Sequence, residues 1–123
     1  MAEMDGQSTA GRSDPFYEVI EEALDSLPDD LRAAMSNVEF LVEDEPPDGR
    51  PLLGLYRGIP LPQRNRNYSG VLPDTISIYV GPITRLAGGE ADRLRREIRH
   101  VVLHEIAHHF GISDERLIEI ERY

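Results

Sequence analysis

His104 and His108 stand four residues apart, and Glu105 directly follows the first of them. On a helix, residues four apart lie on one face a turn apart. Two imidazoles so placed can converge on a single zinc ion at roughly 2.0–2.1 Å each. Glu105 then comes beside the ion, where a carboxylate can take a proton from a bound water. A zinc centre that does chemistry needs a third protein ligand and one open position. Gly111, three residues after His108, can adopt the positive φ that ends a helix. The chain then doubles back and Asp114 comes within reach, an oxygen ligand suited to roughly 2.0–2.2 Å. The histidine–glutamate–histidine spacing alone arises by chance in about one chain in a few hundred of this length; the helix, glycine and aspartate around it narrow that much further.

Neighbouring residues have plainer roles to weigh. Asp114 is also suited to cap a helix from Glu115 onward, and Ser113 competes for that position; capping and ligation can coexist, and the motif spacing favours the ligand role. His100 extends the four-residue spacing backwards, but a further turn along the helix sets it too far from the same ion, so it is assigned to packing or hydrogen bonding. His109 points about 100° away from His108 and is given no metal role. Arg93, Arg95, Arg96 and Arg99 read as a solvated helix face with acidic partners. Tyr56, Tyr68, Tyr79 and Tyr123 are all candidates to stabilise an oxyanion, and spacing does not choose among them.

The elements that must hold these residues are legible from periodicity. Glu90 to Phe110 contains no glycine or proline, and Leu94, Ile98, Val101, Val102 and Ile106 form an apolar stripe at helical spacing. Near the N-terminus, Asp14-Pro15 suits a helix start. Phe16, Val19, Ile20, Ala23, Leu24 and Leu27 continue it along one face, and Pro28 to Met35 reads as a second, short helix. Met1 to Ser13 is polar and small, and is expected to be a disordered tail ahead of one domain over residues 14–123. Val38 to Val42, Leu52 to Tyr56 and Thr75 to Val80 are strand candidates, the last alternating and β-branched. Ile59 to Asp74, with three prolines, reads as a long loop, Gly81-Pro82 closes the last strand, and Ile83 to Leu86 reads as one helical turn. The expected fold class is α+β, a small mixed sheet with an N-terminal helix and the long site-bearing helix on one face.

Composition narrows the function classes. A chain of 123 residues is one domain. With no cysteine there are no disulfides, thiolate ligands or thiol nucleophile, which fits a reducing, cytoplasmic setting. The net charge of −10 repels phosphate backbones, so no nucleic-acid partner is expected. All 13 basic residues are arginine. Met1 to Arg12 lacks the apolar centre of a signal peptide and no apolar run is long enough to span a bilayer, so no membrane partner is expected either. Neither motif nor composition bears on oligomeric state.

The string His104 to Leu117, HEIAHHFGISDERL, follows the pattern H-E-x-x-H-x-x-G-x-x-D and resembles the small bacterial zincin-like metallopeptidases sometimes called minimal zincins. The resemblance covers Thr75 to the end closely and the earlier part in layout. It implies a zincin-like fold, one Zn2+ per chain held by His104, His108 and Asp114, and Glu105 as general base in hydrolysing a peptide or protein substrate. Metzincins, which share the extended motif, carry a methionine turn downstream; here Met1, Met4 and Met35 all precede the motif. Two further readings stand beside peptide hydrolysis. One is a zinc-binding domain with little activity that acts in binding or regulation, against which the retained Glu105 argues. The other is a zinc-dependent endoribonuclease, which the acidic balance disfavours.

Overall fold

The computed structural model describes residues 2–60, 73–112 and 115, with side chains from residue 14 onward. Helix α1 spans Ala2–Asp25 and α2 spans Asp29–Ala33; strand β1 is Val38–Glu43, β2 is Gly54–Arg57 and β3 is Asp74–Tyr79; α3 is Val80–Ala87 and α4 is Ala91–His109. A single 3-10 turn, Pro47–Gly49, lies in the acidic break after β1. The architecture is α+β with a three-stranded mixed sheet, as the sequence predicts.

β3 is the central strand, in the order β1-β3-β2. It runs parallel to β1 and antiparallel to β2. The register pairs Phe40 and Tyr56 with Ile76, and Val42 and Gly54 with Ile78. Directly paired residues share a face of the sheet, so Phe40, Val42, Gly54, Tyr56, Ile76 and Ile78 present one surface. Helices α1 and α4 pack on it. Phe16, Val19, Ile20 and Ala23 of α1 join Ile76 and Ile78 and the α4 residues Ile98, Val101, Val102 and Ile106 in one buried core. The apolar stripes read from the sequence are therefore the buried faces. On the rim, Arg95 of α4 reaches Glu18 and Glu22 of α1 at 3.1 and 2.7 Å, so one member of the basic run has the acidic partners expected of it. Such exposed pairs contribute little to stability.

Three boundaries differ from expectation. α1 begins at Ala2 rather than at Asp14-Pro15, so the stretch read as a tail continues the helix and Pro15 lies inside it. Proline forfeits one hydrogen bond there, and the turns on either side carry the helix past it. Val80 leaves the strand to start α3, which runs two turns through Gly81-Pro82 rather than starting after it; a proline in the first turn of a helix sacrifices no backbone bond. The third strand begins one residue early, at Asp74, which the sequence assigns to the loop. No described helix is long and apolar enough to cross a membrane.

Candidate metal centre

α4 presents two parallel rows of side chains to its surroundings, each at four-residue spacing. His100, His104 and His108 form one row, running from exposed to half-buried. Val101, Glu105 and His109 form the next, about 100° around the helix, and all three are buried against the sheet. The two predicted histidine ligands thus sit at the surface with the predicted base tucked beneath them. The imidazoles of His104 and His108 are 4.8 Å apart between centroids and nearly perpendicular. Glu105 Oε1 lies 3.3 Å from His108 Nδ1. One donor atom from each of His104, Glu105 and His108 lies within 4.8 Å of the others. Two imidazoles with a carboxylate beside them match the donor types that zinc prefers, so the residues present fit the ion.

The end of α4 carries out the reversal expected of Gly111. Its N–H bonds to the His108 carbonyl at 2.9 Å, and Ile112 N–H bonds to the Ala107 carbonyl at 2.9 Å. This is the pair of backward bonds of a Schellman stop, and Gly111 holds the φ of +81° that the motif requires. The chain is thereby turned toward Ser113 and Asp114. Both lie outside the described residues, as does the third-ligand assignment with them.

The segment leading into β2, with the strand's first residue, forms the other wall of the site. A cavity of about 240 Å³ opens between Pro51, Leu52, Leu53 and Gly54 on one side and His100, Val101, His104 and Glu105 on the other. His100 is thus outside the converging donor group but lines the cavity next to it. Gly54 faces α4. A Cβ added there would lie 2.8 Å from Val101 Cγ1 and 3.2 Å from Glu105 Cγ. The missing side chain at Gly54 therefore makes room for the site helix.

The tyrosines sort themselves. Tyr56 donates its hydroxyl to Asp74 Oδ2 at 2.6 Å, and Tyr79 is buried with its hydroxyl unpaired among the described residues. Tyr68 and Tyr123 lie outside those residues. His109 is buried, as its angle from His108 requires, and is held by Asp74 and the Ala34 carbonyl. The sequence carries no signal for this Tyr56–Asp74–His109 cluster. Its members are 18 to 53 residues apart, and Asp74 stands at the end of a loop with no local pattern.

The zincin-like metallopeptidase family model matches residues 35–123, a span that includes the sheet, α4 and the whole motif. No curated protein matches the chain. Among solved structures, a conserved hypothetical protein from Thermo thermophilus is similar, with 27% identity over 78% of this chain and 91% of that one and a TM-score of 0.54. With the family matched over most of its length and its histidine–glutamate–histidine group gathered on one helix face, this chain belongs to the zincin-like metallopeptidase family.

Proposed function

We propose that the protein is a zinc-dependent peptidase in which His104, His108 and Asp114 hold one Zn2+ per chain and Glu105 is the general base. The observation that carries this reading is the placement of the Glu105 carboxylate. It is 7% exposed, lies within 4.8 Å of donor atoms of both imidazoles and lines the cavity beside His104. Among the described residues its ion-pairing contact is with His108. A helix glutamate serving only solubility would point outward. When bound, zinc supplies Lewis-acid polarisation of the scissile carbonyl and lowers the pKa of a water.

The chain's own residues do the rest. Glu105 accepts the proton of the attacking water at a carboxylate oxygen and delivers it to the leaving amine. His108 Nδ1, at 3.3 Å, fixes the orientation of that carboxylate. A peptide would lie along β2, the outer strand next to the site, with main-chain hydrogen bonds supplying affinity. The cavity is below the size typical of a whole small-molecule site and suits a single side chain. Its walls of proline, leucine and valine favour an apolar one. A nucleic-acid or membrane partner has no support in a chain of charge −10, and the cysteine-free composition suits the cytoplasm.

The test combines metal analysis with digestion of a peptide library. About one zinc per chain, and cleavage that stops on chelation and returns with zinc, are the expected results. Stoichiometric zinc with no cleavage would favour the binding-domain reading; failure to take up zinc after reconstitution would end both.

A further inference from the structure

Behind the metal centre, three polar side chains from three elements meet in the interior. Asp74, the first residue of β3, is 2% exposed, and His109, the last residue of α4, is 1% exposed. His109 Nδ1 lies 3.0 Å from Asp74 Oδ2. Tyr56 of β2 donates to the same oxygen at 2.6 Å and packs edge-on against the His109 ring, 5.7 Å between centroids. On its other side, His109 Nε2 is 3.2 Å from the carbonyl of Ala34 at the end of α2. Gly58 backs the carboxylate, and a Cβ there would overlap it.

Burying a carboxylate and an imidazole is costly even when they are paired, and apolar replacements of similar volume are often as stable. What a fully bonded polar cluster adds is a single arrangement. The place where one arrangement matters is the last turn of α4. Helix ends fray, yet this end carries His108, one residue before His109. Adjacent residues on a helix are separated by a fixed rotation of about 100°. Gripping the His109 ring at both nitrogens therefore sets the direction in which His108 leaves the helix. Val101 and Glu105, in the same row as His109, are held by packing against β2, whereas the row's last member is held by directional bonds.

We propose that Tyr56, Asp74 and His109 are positioning residues that fix the last turn of α4 and so orient His108 for the metal. The inference rests on the zinc-site reading above. None of the three touches the reacting atoms; they act through the backbone of the turn that bears the ligand.

Tyr56→Phe deletes one hydroxyl and keeps the ring, and Asp74→Asn keeps the shape while removing the charge. Each is compared with wild type by zinc affinity in competition with a chromophoric chelator, by the visible spectrum of the Co2+-substituted protein, and by the thermal midpoint of the metal-free protein. Ile83→Val, a core trimming in α3 away from the site, serves as the stability control. Both network variants should bind zinc about tenfold more weakly, the lower end of the effect of removing an outer-shell partner, and should show an altered Co2+ spectrum. Ile83→Val should match wild type in both. Wild-type affinity and spectrum in Tyr56→Phe and Asp74→Asn would overturn the proposal, whatever their thermal midpoints. So would an equal loss of affinity in Ile83→Val, because affinity would then merely follow stability. A wild type that takes up no zinc removes the reading of the site itself, and the network's role with it.

Discussion

Gly54 of the outer strand and Glu105 of the site helix are in contact, with the glycine's hydrogen facing the glutamate's Cγ where any Cβ would come within 3.2 Å. The same Cβ would meet Val101 Cγ1 at 2.8 Å and the Ser77 carbonyl at 3.1 Å. The carbonyl belongs to the β3 backbone, and Val101 is buried with its β-branched side chain held to one rotamer in the helix, so neither yields freely. Gly54→Ala should therefore cost about 1–3 kcal/mol, the range for overpacking a close contact. It should also push Glu105 out of line and lower peptidase activity more than stability. Adding Val101→Ala should recover part of the stability. Paired denaturant melts and activity assays check this; an alanine variant as stable and active as wild type would show that the strand and helix are not tightly apposed.

Ligand and base should separate cleanly. His104→Ala and His108→Ala each remove one of the two imidazoles that converge on the site, and should lose zinc by two orders of magnitude or more, about 3 kcal/mol. Glu105→Gln keeps the side chain's volume in its buried position and should leave zinc bound and the fold unchanged. It should reduce turnover by about 10²–10⁴-fold, the range for losing a general base. Isothermal titration and turnover on a cleaved library peptide measure the two effects; equal turnover in Glu105→Gln and wild type would remove Glu105 as the base.

Asp114 can be divided into its two roles by one substitution. Asparagine caps a helix about as well as aspartate, so Asp114→Asn should change the melting temperature little. It withdraws a carboxylate from the metal, and zinc affinity should fall. Unchanged affinity in that variant would leave Asp114 as a cap.

Peptide binding along the outer strand should be visible in amide exchange. A zinc-binding peptide inhibitor should slow exchange at Leu52 to Tyr56 and in the loop that follows, since an added strand bonds to the main chain. Protection confined to α4 would show that the sheet edge is not used.

Much of the site was legible in the sequence because its logic is local. The four-residue spacing of His104 and His108, the adjacent Glu105, the glycine that stops the helix and the apolar stripe that buries it all act within a few turns of one element, where the helical repeat fixes relative direction. The site face of α4 and its Schellman end at Gly111 follow from this. The α1 stripe from Phe16 to Ala23 was readable for the same reason.

What surrounds that helix was not readable, because strand partners and buried polar contacts depend on residues distant in the chain. Nothing near Gly54 indicates that its bare face accommodates Glu105, 51 residues later. Nothing near Asp74 marks it as a buried carboxylate rather than the end of a loop. His109 could be excluded from the metal by its angle, but its partners could not be named. The tertiary structure decided these points when β3 paired with β1 on one side and β2 on the other, bringing Tyr56 and Asp74 together beneath the last turn of α4. A local repeat specifies which way a side chain points; only the packing of one element on another specifies what it meets there.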